Sequence, residues 1–118
     1  MSDYQLIVIG AGPGGYVTAI RAAQLGRKVA IVEKDKIGGT CLNRGCIPTK
    51  ALLHSANTYA GRNQFETLGL SYADIRYDMG KIHARKAQVV ETLISGVSGL
   101  LKANKIDVLS GAAQITAP

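Results

Sequence analysis

Tryptophan is absent from this 118-residue chain, phenylalanine occurs once, and only 5% of residues are aromatic. Tyr16, Tyr59, Tyr72 and Tyr77 read as packing residues rather than stacking platforms. Acidic residues are scarce too, 8 against 14 lysines and arginines, for a formal charge of +6. The basic residues are dispersed, which argues against a nucleic-acid partner. The surplus suits an anionic dinucleotide, or balance by acidic residues elsewhere in a longer chain. No apolar run approaches the roughly 18 residues of a membrane span, so no membrane partner is expected. The first strand-like run is preceded by no basic n-region and no cleavage-site pattern, and a cytoplasmic setting is expected. Cysteine is limited to Cys41 and Cys46. Two are too few for a zinc site, and neither His54 nor His83 sits at a usual ligand spacing, so no metal is expected. There are no internal repeats and no low-complexity linker. What is abundant is glycine, 14 residues in clusters. Clustered glycine indicates loops with special backbone demands rather than a repeat or a disordered chain. At this length one domain is the natural expectation.

Residues 5–9, Gln-Leu-Ile-Val-Ile, form a short β-branched run that fits a strand buried on both faces. The run enters Gly10-Ala11-Gly12-Pro13-Gly14-Gly15 directly. A helix is expected over 16–25, with small residues Ala19, Ala22 and Ala23, and Gly26 closing its C-terminus. Residues 29–33 form a second buried strand ending in Glu33. This is a βαβ unit, hence a parallel strand pair with a right-handed crossover. Leu52, Leu53 and Ala56 suggest a helix after the cysteines, and Pro48 is well placed to start it. Residues 61–77 show no period and read as connection. Asp78 is a good N-cap for a long helix over 79–104. Met79, Ile82, Val89, Val90, Leu93, Ile94, Val97, Leu100 and Leu101 step by threes and fours along it, predicting one buried stripe. A third strand is expected over 106–109, and after Gly111 residues 112–116 resemble the start of another. The fold class is α/β: a Rossmann-like parallel sheet with flanking helices.

Gly10, Gly12 and Gly15 make a G-x-G-x-x-G between a strand and a helix. The first glycine permits the tight turn, the second lets the backbone approach a pyrophosphate, and the third permits close helix–sheet packing. The helix N-terminus offers free N–H groups and partial positive charge to the phosphates. Glu33 follows Gly15 by 18 residues, where a carboxylate can accept from ribose hydroxyls and would repel a 2′-phosphate. The motif does not separate FAD from NAD.

Cys41 and Cys46 enclose Leu-Asn-Arg-Gly. Closing so small a ring contributes only roughly 2 kcal/mol by the chain-entropy estimate, so stability is a weak reason for a bond between them. A reducible pair that exchanges with a substrate disulfide is a stronger one; two buried structural thiols are the alternative. Lys50, four residues beyond Cys46, is within reach of the same site if the stretch is helical, where it would stabilise a thiolate or a reduced flavin. On spacing alone a surface lysine fits equally well. His54, one turn further on, reads as a polar helix residue.

Residues 38–53, Gly-Gly-Thr-Cys-Leu-Asn-Arg-Gly-Cys-Ile-Pro-Thr-Lys-Ala-Leu-Leu, resemble the active-site segment of the flavin disulfide reductases. With Gly10 to Gly15 and Glu33, the resemblance covers the whole chain. Within that family Leu42 and Ile47 are most similar to the dihydrolipoamide dehydrogenase branch, since the glutathione and mercuric reductases commonly carry valine at both positions. Arg44 departs from the frequent valine. The resemblance implies that residues 1–118 are the N-terminal part of an FAD-binding domain, with the NAD-binding and dimer-interface domains absent. FAD would lie across Gly10, Gly12, Gly14 and Gly15, with its ribose on Glu33 and with Lys34, Gly38, Gly39 and Thr40 alongside. Lys50 would lie near the flavin N5 and the Ala113 backbone near the adenine. Cys41 would be the interchange thiol and Cys46 the flavin-side thiol. The implied activity is oxidation of dihydrolipoamide with reduction of NAD⁺, in a homodimer serving the lipoyl domains of 2-oxo acid dehydrogenase or glycine cleavage complexes. The chain by itself is expected to lack that activity, because neither His54 nor His83 matches the family's catalytic His–Glu pair. A glutathione-type reductase and a redox-inactive dinucleotide-binding module are the other readings.

Overall fold

The computed structural model describes residues 3–116. Strand β1 (Leu6–Ile9), helix α1 (Pro13–Gln24) and strand β2 (Val29–Glu33) follow one another with short turns. A short helix α2 (Gly39–Asn43) and helix α3 (Cys46–Ala60) come next, then two 3₁₀ turns at Gly61–Gln64 and Glu66–Leu68. The long helix α4 (Met79–Ala103) and strand β3 (Asp107–Ser110) complete the order. The three strands form one parallel sheet with β2 in the centre. Among the described residues no helix is long and apolar enough to cross a membrane.

The core lies between one sheet face and the helices. Leu6 and Val8 of β1 and Val29 and Ile31 of β2 meet Ala19 of α1, Leu101 of α4 and Ile106. Alanines on α1 let the helix lie close to the sheet, and Leu101 is the point at which α4 enters the core. β2 is covered on both faces at Val29, Ala30 and Ile31, as a central parallel strand should be. β1 differs from expectation. It alternates, with Ile7 54% and Ile9 59% exposed, because it is an edge strand with helical cover on one side only.

Other boundaries shift for identifiable reasons. α1 begins at Pro13, three residues earlier than periodicity indicates, since proline suits the first helical position and Gly12 serves as N-cap. Gly26, in the left-handed region at φ +81°, follows its last turn as expected. α3 begins at Cys46, two residues before Pro48; the proline then sits in the first turn, where its missing N–H breaks no helical bond. α2 has only five residues and no period to betray it. Residues 112–116 are not a strand, and they pair with none among the described residues. Asp78 caps α4 as expected, its Oδ1 accepting from Lys81 N at 3.0 Å. The predicted stripe of α4 is only partly covered: Leu101 is buried, Ile82, Val89, Val90, Ile94 and Val97 are half-buried, and Met79, Leu93 and Leu100 are exposed. The helix packs against α3 and α1 and, at its end, against β3, which leaves part of its apolar face open.

Candidate functional site

The first component of the site is the glycine turn after β1. Gly10 has φ +97°, and its N–H donates to Val32 O at 2.7 Å, continuing the β1–β2 ladder to the turn. A Cβ on Gly15 would lie 1.8 Å from the Gly10 carbonyl oxygen, so only glycine lets α1 rise this close to β1. Gly12 faces Gly39: a Cβ on Gly39, whose φ is +57°, would lie 2.8 Å from the Gly12 Cα. Two glycine backbones thus meet where the pyrophosphate loop abuts the segment leading to the cysteines. Gly14 sits in α1 with open space around its Cβ position. The first turn of α1 carries no acidic residue and its N-cap makes no side-chain bond, so its amides stay available to an anion.

Glu33 is placed by two backbone amides. Ala11 N–H donates to its Oε2 at 2.7 Å and Asp35 N–H to its Oε1 at 2.9 Å. These bonds, the Ala11 bond foremost, hold the carboxyl below its ordinary value of 4.5, against smaller opposing effects of burial and the Asp35 charge. Each oxygen keeps a second acceptor direction for a ligand hydroxyl. Gly10, Glu33, Lys34 and Ala113, assigned separately from the sequence, line one cleft of about 390 Å³ together with Ile9, Val32, Gly111 and Ala112. The Gly111 N–H donates to Glu33 O at 2.9 Å, which brings the 111–113 segment beside the acid. A cradle without side chains, free helix amides and an ionised strand-end carboxylate fit a dinucleotide.

Cys41 in α2 and Cys46 at the first position of α3 are joined as a disulfide, with Cα atoms 4.6 Å apart. The pair is therefore not two separate buried thiols; Cys41 is half-buried and Cys46 exposed. Three of the four residues between them are anchored by their side chains. Leu42 is buried. Asn43 Nδ2 donates to Ile37 O at 3.0 Å and to Gly39 O at 2.9 Å. Arg44 pairs with Asp35. Gly45 lies where a Cβ would come within 3.0 Å of Thr40 O. Thr40 and Lys50 are exposed, the latter on α3 one turn beyond Cys46. Gly38 is buried, with φ +95°, and its N–H donates to Ala11 O at 2.8 Å. Sequence reasoning missed the roles of Ala11, Asp35, Asn43 and Arg44. Of these, only Arg44 carried a signal, its departure from valine.

Known proteins are similar to this chain over nearly its whole length. Residues 4–118 match the model of the pyridine nucleotide-disulphide oxidoreductase family. A dihydrolipoyl dehydrogenase of Bacillus subtilis (strain 168) is 48% identical over 117 residues, covering 99% of this chain and 25% of its own length. One from Zymomonas mobilis is 53% identical over 117 residues, covering 98% and 25%. Among solved structures, the Cu(II) complex of the HOCl-induced flavoprotein disulfide reductase RclA from Escherichia coli superposes with a TM-score of 0.78 at 33% identity, covering 98% of this chain and 23% of that one. The chain spans about a quarter of the length of the curated relatives it matches. With a family match across residues 4–118 and about half the residues identical to these dehydrogenases over nearly the whole chain, the chain belongs to the pyridine nucleotide-disulphide oxidoreductases.

Proposed function

We propose that residues 1–118 form the N-terminal part of the FAD-binding domain of a dihydrolipoamide dehydrogenase. The observation that carries this reading is the Cys41–Cys46 disulfide at the start of α3, joined through Gly39 to the dinucleotide cradle at Gly12. The identity of about half the residues to dihydrolipoyl dehydrogenases selects the substrate class.

In this reading one thiol of dihydrolipoamide attacks the Cys41 sulfur and displaces Cys46 as a thiolate. The second substrate thiol then attacks the mixed disulfide, releasing lipoamide and leaving the protein as a dithiol. Two electrons and two protons have passed from substrate to protein. FAD, when bound, supplies the two-electron relay that returns the pair to a disulfide and reduces NAD⁺, whose site lies outside these residues. The chain's own part is to bind and to orient. The amides of α1 take the pyrophosphate, Glu33 takes ribose hydroxyls, and Lys34, Gly38, Gly39 and Thr40 flank the cofactor. Lys50 supplies a cation beside the ring, and the Ala113 backbone meets the adenine. The start of α3 favours a thiolate at Cys46. The complete protein is then a cytoplasmic homodimer that serves the lipoyl domains of a 2-oxo acid dehydrogenase or glycine cleavage complex.

The test is the complete protein's rate of NAD⁺ reduction with dihydrolipoamide, set beside NADPH oxidation with oxidised glutathione. Turnover with the first pair is expected. Turnover with the second pair alone would reject the substrate and retain the cofactor site.

A further inference from the structure

We propose that Arg44 is a positioning residue for the redox pair: its ion pair with Asp35 holds the Cys46 end of the loop and biases Cys41–Cys46 toward the disulfide. The inference deepens the function proposed above and rests on it.

The loop is anchored unevenly. Near Cys41, Leu42 is buried and Asn43 bonds two carbonyls, so that end is fixed by packing and by neutral hydrogen bonds. Near Cys46 the neighbouring residue is Gly45, which has no side chain to anchor. Arg44 is the last side chain before Cys46 that can tie the loop down, and it reaches Asp35 nine residues back. Asp35 is in turn fixed through its N–H to Glu33 Oε1, and Glu33 through Oε2 to Ala11. The redox loop is thus connected, bond by bond, to the strand-end acid and the glycine turn.

The physical consequence concerns the reduced state. Once the S–S bond is cleaved, the two sulfurs stay close only if the backbone keeps them so. An anchor at each end raises the effective concentration of one thiol against the other and favours closing the ring. Arg44 and Asp35 have side chains 61% and 49% exposed. Exposed pairs of this kind shift an equilibrium by roughly two- to fivefold. That is invisible as stability but corresponds to up to about 20 mV in a two-electron thiol–disulfide couple.

The experiment is a glutathione titration of the complete, FAD-loaded protein, in which two glutathione thiols become one disulfide as Cys41–Cys46 is reduced to two thiols. Alkylated thiols are counted at each ratio. Arg44→Val and Asp35→Asn should both shift the equilibrium roughly two- to fivefold toward the dithiol. The charge-swapped double variant Asp35→Arg/Arg44→Asp should recover most of that shift. If Arg44 acted through its charge alone, removing it would disfavour thiolates, and Arg44→Val would move toward the disulfide while Asp35→Asn moved the other way. Opposite shifts, or no shift in either single variant, overturn the proposal. The titration is run in parallel with dihydrolipoamide: a wild-type pair that exchanges with neither thiol overturns the proposed function and the positioning role together, and normal exchange with unshifted variants overturns the positioning role alone.

Discussion

Ile31, in the middle of β2, is fully buried, whereas Leu93, in the middle of α4, is 40% exposed. Both stand where their elements' patterns place an apolar residue. The difference lies in what surrounds them. The region around β2 is closed on every side: β2 is flanked by β1 and β3 and roofed by α1, Leu101 and Ile106 complete its core, and the glycine turn meets the Glu33 carboxylate and the segment leading to the cysteines at close range. The long helix presents a complete apolar stripe to α3, α1 and β3, which cover only part of it. Periodicity reports that a face is apolar, not that a partner covers it. Glycine spacing, by contrast, reports particular geometry, because a required glycine marks a left-handed turn, as at Gly10, or a place where another backbone already sits, as at Gly15 and Gly39.

The sharpest way to test this contrast is within the glycine turn itself. Gly15→Ala places a carbon against the Gly10 carbonyl and should destabilise the protein by more than about 3 kcal/mol in urea denaturation, with loss of retained FAD. Gly14→Ala, one residue earlier in open space within α1, should be neutral or stabilise by up to about 1 kcal/mol. Equal effects at the two positions would refute the close approach.

Between the regions, Ile31→Ala should cost about 2–5 kcal/mol, as for a packed core site, and Leu93→Ala less than about 1 kcal/mol. The same denaturation curves measure both. A large loss at Leu93 would mean that α4 is covered more fully than its contacts indicate. Asp78→Ala, which removes the N-cap bond to Lys81 N, should cost about 1 kcal/mol, seen as reduced hydrogen-exchange protection in the first turn of α4.

The smallest effect is set by pH. Glu33 has its folded-state pKa lowered, chiefly by the Ala11 N–H. Its contribution is therefore full above the ordinary value of 4.5 and is lost as pH falls through the depressed folded value. Glu33→Gln should flatten that acid limb of a stability–pH curve and leave its alkaline side unchanged. An unchanged acid limb would remove Glu33 from the account.

Much of this was legible in the sequence for physical reasons. The turn at Gly10–Gly15, the acid at the end of β2 and the cap of α4 each need a particular residue type, so the residue announces the structure. The Ala11–Glu33 bond did not announce itself, because nearly every residue has a backbone N–H and nothing in alanine marks this one. α2 is too short for a period to show. The open face of β1 and the uncovered part of the α4 stripe depend on what packs against them, which no local pattern records. Residues 112–116 have strand-like composition but no neighbouring strand among the described residues. The Arg44–Asp35 pair joins two exposed charges across a turn, and surface charges carry little positional signal.

In the proposed function the cysteine pair is the entry point for electrons beside a flavin cradle, rather than a structural staple. The direct test is Cys41→Ser in the complete protein, with bound FAD and dihydrolipoamide-dependent NAD⁺ reduction measured on one preparation. FAD content equal to wild type is expected, with turnover reduced by roughly a thousandfold or more, as when a nucleophile is removed from a covalent mechanism. Undiminished turnover with the serine in place would contradict that role.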